Sequence, residues 1–205
     1  METSLIIGLS AFFKNILGLV MRPYETCRRI VDHGEYAELA YAGILLLAYF
    51  SIASVVKVAA FRPFLLTRQF IVLSSATGFT YCITLALFWT AGKLVGAKGR
   101  FKGLAVSWGY SLIPTLIWFL ATSILYVVLP PPRTTSMAGV IFSILFLVFS
   151  GTLFFWKATI AYLTLRFGLR LDLGKILVVL TISLPILAGY SFGMYRLGIF
   201  RVPFL

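Results

Sequence analysis

Residues 101–132, FKGLAVSWGYSLIPTLIWFLATSILYVVLPPP, decide the fold. From Leu104 to Leu129 there is no charged residue, and that run exceeds the roughly 20 residues a helix needs to cross about 30 Å of hydrocarbon. The segment therefore reads as a membrane span. It is approached through a basic, glycine-punctuated turn (Lys98, Gly99, Arg100, Phe101, Lys102, Gly103) and closed by Pro130, Pro131 and Pro132. Within it, Pro114 has no amide hydrogen and its ring crowds the carbonyl of Tyr110, which predicts a kink.

The rest of the chain repeats this pattern. Of the 205 residues 60% are apolar and 12% charged, with a mean hydropathy of +1.00, whereas soluble domains carry about a quarter charged residues. Further spans are predicted over 37–56, 69–92, 138–156 and 176–195. The fold class is an all-α integral membrane protein with five transmembrane helices and an amphipathic N-terminal interfacial helix. Residues 1–36 form a membrane-surface segment and 37–205 the five-helix transmembrane domain.

In the first segment, Leu5, Ile6, Leu9, Phe12, Phe13, Ile16, Leu17 and Val20 recur at helical spacing, with Ser10, Lys14 and Asn15 on the other side of the wheel. This helix is suited either to lie flat in the interface or to pack on the bundle. It lacks the basic start and small-residue cleavage site of a secretory signal. Pro23 suits the first turn of a second short helix, with Glu25 placed to pair with Arg28 and Arg29 and Gly34 as its stop. Asp172 is placed to cap the last span. Pro185 suits a kink there, and Gly189-x-x-x-Gly193 a tight helix contact.

The formal charge of +12 does not indicate nucleic acid, because most of the basic residues sit in short turns between apolar runs. Eleven Lys and Arg fall in the amino-terminal region and the 93–102 and 166–175 turns, against six in the 57–68 turn, the proline-rich link and the carboxy-terminal end. Lys157 leans toward the first group, within snorkelling distance of Arg166 and Arg170. Basic residues concentrate on the cytoplasmic side, so the amino terminus is expected there.

No Asp, Glu, Lys, Arg or His falls in the middle of any span, which argues against a pump or proton-coupled carrier. His33 is the sole histidine and precedes the first span, so no histidine-assisted serine pair can form at depth. Asp32 and Asp172 flank different spans, and no His-Glu-x-x-His or phosphate-binding loop occurs. No catalytic or metal-binding residues and no cofactor are expected, and Cys27 and Cys82 form no disulfide framework. The candidate lipid- or partner-binding residues are Lys98, Arg100, Lys102, Arg166 and Arg170, since basic residues near an anionic surface each contribute about 1 kcal/mol. Tyr110, Pro114 and Pro185 are candidates for a kink that opens a cavity. Cys27 is a candidate for palmitoylation and His33 for pH sensing, against the plainer readings of a buried thiol and a solvated ring.

The order of features resembles the Yip1 domain family. Pro23-Tyr24-Glu25-Thr26 leads to the first span, and the Lys98–Lys102 turn feeds a span with Gly109-Tyr110-Ser111-Leu112-Ile113-Pro114. Trp156 comes late in the fourth span, and Phe167-Gly168-Leu169-Arg170-Leu171-Asp172-Leu173-Gly174-Lys175 leads into the fifth. The resemblance, over about residues 20–195, implies five transmembrane helices and a cytoplasmic amino terminus. In eukaryotes such proteins are associated with membrane traffic and prenylated Rab-type GTPases. This chain lacks the long cytoplasmic domain and the Asp-Leu-Tyr-Gly-Pro type of motif, so GTPase binding does not carry over. It is more similar to a short prokaryotic member of a plasma or inner membrane. The expected function is a non-enzymatic adaptor or lipid-interacting component in membrane organisation or trafficking, with membrane lipids and a protein partner or second copy as its contacts. The alternative is a passive transporter or channel for a small or lipid-like solute.

Overall fold

The computed structural model describes residues 2–57, 63–128 and 137–199. Residues 58–62, the whole proline-rich link and residues 200–205 lie outside the described residues. The elements are α1 (Glu2–Met21), α2 (Pro23–His33), α3 (Tyr36–Lys57), α4 (Pro63–Leu94), α5 (Phe101–Gly109), α6 (Leu112–Val128), α7 (Met137–Leu163) and α8 (Leu173–Arg196). A π-helical turn, Thr164–Gly168, continues α7. Among the described residues five segments are long and apolar enough to cross a membrane: α3, α4, α5 with α6, α7 with its π turn, and α8.

The stretch 101–125 forms the centre of the bundle. In its most apolar window 61% of the residues are buried, against 6% for the span containing α7. One core joins Leu85 and Phe88 of α4, Leu104 of α5, Leu165 and Leu169 at the π turn, and Ile176 and Val179 of α8. A second joins Phe12 and Leu19 of α1, Cys27 and Ile30 of α2, Val106 and Tyr110 of the central span, and Leu163 of α7. A third packs α3 on α6, where the Tyr49 and Phe119 rings stack 5.6 Å apart. Outward faces such as Ile144, Leu147, Phe154 and Phe155 of α7 remain apolar and exposed, as a helix bathed in lipid requires.

Several sequence expectations are refined. The kink expected at Pro114 is a break between Gly109 and Leu112. There the Ser111 amide donates to the Trp108 carbonyl at 2.9 Å and the Ile113 amide to the Tyr110 carbonyl at 3.1 Å. The tighter three-residue bonding occupies the carbonyl that Pro114 cannot serve, and Pro114 falls in the first turn of α6, where no amide is needed. Pro185 is exposed inside α8, which continues through it. The fourth span does not stop at Trp156. Lys157 turns to α6 and donates to Thr115 Oγ1 at 2.8 Å instead of snorkelling toward Arg166, so the helix carries the charge and runs on to Leu163.

Glu25 lies 3.8 Å from Arg22, in place of the expected pairing with Arg28 and Arg29. Asp172 occupies the N-cap of α8 in extended conformation, but its side chain makes no capping bond. A Cβ added at Gly189 or Gly193 would meet nothing within 4 Å, so that step makes no tight contact inside the described chain. Helix α1 does pack on the bundle, burying Phe12 and Leu19 while Phe13, Leu17 and Val20 stay exposed. Asn15, expected on the polar side with Lys14, points inward and is buried.

Candidate functional site

Two groups of side chains gather around α2, one where it meets α1, α3 and the break in the central span, the other where it meets the π turn. The first is buried and polar. Glu38 is the third residue of α3, and its Oε1 accepts the Glu35 amide at 3.2 Å, the backward half of a capping box. Its other oxygen faces the bundle. Asn15 Nδ2 donates to that Oε2 at 2.8 Å and to the Tyr110 hydroxyl at 3.2 Å, and the Tyr110 hydroxyl itself donates to Glu38 Oε2. Arg29 completes the set, donating to Asn15 Oδ1 at 2.7 Å. The cluster thus links the buried Glu38 carboxylate, through the Asn15 amide, to the guanidinium of the exposed Arg29. Such full satisfaction is what keeps a buried charge affordable in a low-dielectric interior.

The second group is basic and opens outward. Arg28 from α2 and Arg166 and Arg170 from the π turn and its exit line one cavity of about 290 Å³, together with Val31, Asp32 and Phe167. The Arg166 guanidinium is held by the Tyr162 hydroxyl at 2.6 Å, and Phe167 packs edge-on to Tyr24 with centroids 4.8 Å apart. The 98–102 turn is fastened alongside. The Gly99 amide donates to the Leu169 carbonyl at 3.2 Å, and Arg100 reaches the Asp32 carbonyl at 3.5 Å. Lys102 sits over the Tyr36 ring, 5.7 Å from its centroid. Gly99 is required here because a Cβ at that position would overlap the Gly168 carbonyl.

The tertiary structure therefore brings Arg100, Lys102, Arg166 and Arg170 to one end of the bundle with the exposed Lys98. It also adds Arg28, which sequence reading left in a helix-pairing role. Among the described residues none of these six makes an ion pair with a carboxylate. Tyr110 and Pro114 are buried, and the Tyr110 hydroxyl is engaged with Glu38, while Pro185 lies on an outward face far along α8. Glu38, Asn15 and Arg29 were not singled out from sequence. The available signals were the one Asn in the chain and the spacing of Glu38 from the Gly34 stop. His33 is exposed at the end of α2. Cys27 is 1% exposed, and burial pushes its thiol from the ordinary 9.0 up to about 12, as expected for a structural thiol. Among the described residues no three His, Cys, Asp or Glu side chains converge as a metal site.

A bundle of five apolar segments with its central helix broken around a buried polar cluster defines a multi-pass integral membrane protein. The chain belongs to the Yip1 family: the Yip1 domain matches residues 17–195, from within α1 almost to the end of α8. Comparison with curated proteins and with solved structures gives no match.

Proposed function

We propose that this Yip1-family protein acts without catalysis in membrane organisation, as an adaptor or lipid-interacting component whose working surface is its basic end. The observation that carries this reading is the gathering of Arg28, Lys98, Arg100, Lys102, Arg166 and Arg170 from three separate stretches of chain, with no carboxylate paired to any of them among the described residues. Unpaired cations at the head-group level attract anionic lipid or an acidic partner patch, each contributing about 1 kcal/mol. The charge distribution supports a cytoplasmic amino terminus and hence a cytoplasmic basic end, and the likeness to short prokaryotic members favours a plasma or inner membrane.

The test reverses Lys98, Arg100 and Lys102 to glutamate and measures retention of phosphatidylglycerol against phosphatidylcholine in mixed micelles by native mass spectrometry. Loss of the anionic preference in a helical, monodisperse variant is expected. An undiminished preference removes these residues from the role.

A further inference from the structure

The geometry points to a single-headgroup site: we propose that the cavity formed by Arg28, Asp32, Arg166 and Arg170 binds a phosphate monoester, carried by an anionic lipid. This rests on the lipid-interacting reading and gives it a ligand class and an address. Three guanidiniums and one carboxylate line the cavity, leaving a formal charge of about +2. A phosphate monoester carries about −1.5 to −2 near neutral pH, whereas a diester carries about −1. Guanidinium forks also match phosphate oxygens in pairs, which a lysine cluster does not.

The adjacent cavity of about 280 Å³ serves as an internal comparison. Two arginines, Arg28 and Arg29, and two carboxylates, Glu25 and Asp32, line it, so its formal charge is about zero against about +2 for the first.

The backbone at the site is shaped to present these groups. Arg170 stands at φ 55°, a left-handed conformation that costs a residue with a Cβ roughly 1 kcal/mol or more. That turn lets Leu169 and Leu171 both enter the core, 0% and 3% exposed, while Arg170 between them stays outside beside the cavity. Glycine would satisfy the backbone better, whereas arginine there sets a guanidinium beside the opening at that conformational cost. The π turn that carries Arg166 sets it on the same opening, with Tyr162 holding the guanidinium. Val31 and Phe167 supply an apolar wall suited to the glycerol carbons next to a headgroup.

The experiment titrates the delipidated full chain, in neutral detergent, with dihexanoyl phosphatidic acid, dihexanoyl phosphatidylglycerol, dihexanoyl phosphatidylcholine and sodium phosphate, counting bound species by native mass spectrometry. Phosphatidic acid is expected to bind about tenfold tighter than phosphatidylglycerol, and Arg28→Gln or Arg170→Gly to weaken it about tenfold each. Arg170→Gly relieves the left-handed strain, so a loss of binding in that variant cannot be assigned to misfolding. Sodium phosphate binding as tightly as phosphatidic acid would support the phosphate site and assign it to a soluble ligand, against the lipid source. Equal binding of the two anionic lipids, insensitive to Arg28→Gln and Arg170→Gly but lost on reversing Lys98, Arg100 and Lys102, overturns the cavity and leaves the broader reading standing. No anionic preference over phosphatidylcholine overturns both.

Discussion

At the scale of single residues, Glu38 has the most to lose from substitution. Its carboxylate closes the first turn of α3 and accepts from Asn15 and Tyr110, so Glu38→Ala strands several buried donors at once. The expected cost is about 2–4 kcal/mol, against about 1–2 kcal/mol for Tyr110→Phe, which removes one hydroxyl. Thermal unfolding in detergent checks the order, and the double variant should show a coupling of about 1 kcal/mol. Additive losses would mean the two groups act independently. Cys27 offers a second test. Because the folded state holds its thiol proton more tightly than the unfolded chain, this residue's contribution to stability is intact below pH 9 and declines as pH rises from 9.0 toward 12. Maleimide should leave Cys27 unmodified in the folded protein near neutral pH and label it only after denaturation; rapid labelling of the native state would contradict its burial.

At the scale of elements, the junction of the 93–102 turn with the π turn fixes the basic end. Only hydrogen at Gly99 lets the backbone lie against Gly168 and donate to Leu169. Gly99→Ala should force these strands of chain apart at a cost of about 1–3 kcal/mol. The readout is a lowered melting temperature together with proteolytic cutting in 95–102, and an unchanged melting temperature would show that the turn has room to move. The same junction explains why α5 is so short. Its nine residues, Phe101–Gly109, are clasped by α2, α3 and the π turn, and the chain must then redirect at Tyr110 to continue as α6.

At the scale of the whole molecule, orientation decides which solution the basic end meets. The proposed orientation, argued from the excess of Lys and Arg in the amino-terminal region and the 93–102 and 166–175 turns, puts those segments on the cytoplasmic side. Reporter fusions at residue 98 and at the amino terminus should both give a cytoplasmic signal. Opposite signals at the two positions would contradict the shared end that Arg100 and Asp32 define. The exposed apolar faces of α1, α7 and α8 fit a body surrounded by lipid, with α1 attached through Phe12, Asn15 and Leu19 and its Phe13 and Leu17 turned outward.

Composition and run length by themselves determined the class, the number of spans and the amphipathic first helix, because crossing hydrocarbon imposes a length and an apolarity that a linear chain displays openly. The family was legible as well, from an ordered set of short motifs between Pro23 and Lys175. The basic turns were visible one at a time. That they converge with Arg28 on one cavity was not, since Arg28 lies well over a hundred residues from Arg166 and no local period links them. The same holds for Asn15, Arg29, Glu38 and Tyr110, whose meeting no local pattern announces. Only the packing of α1 and α2 onto α3 and the broken central span brings them within hydrogen-bond reach, and a low dielectric then makes each the partner that the others require.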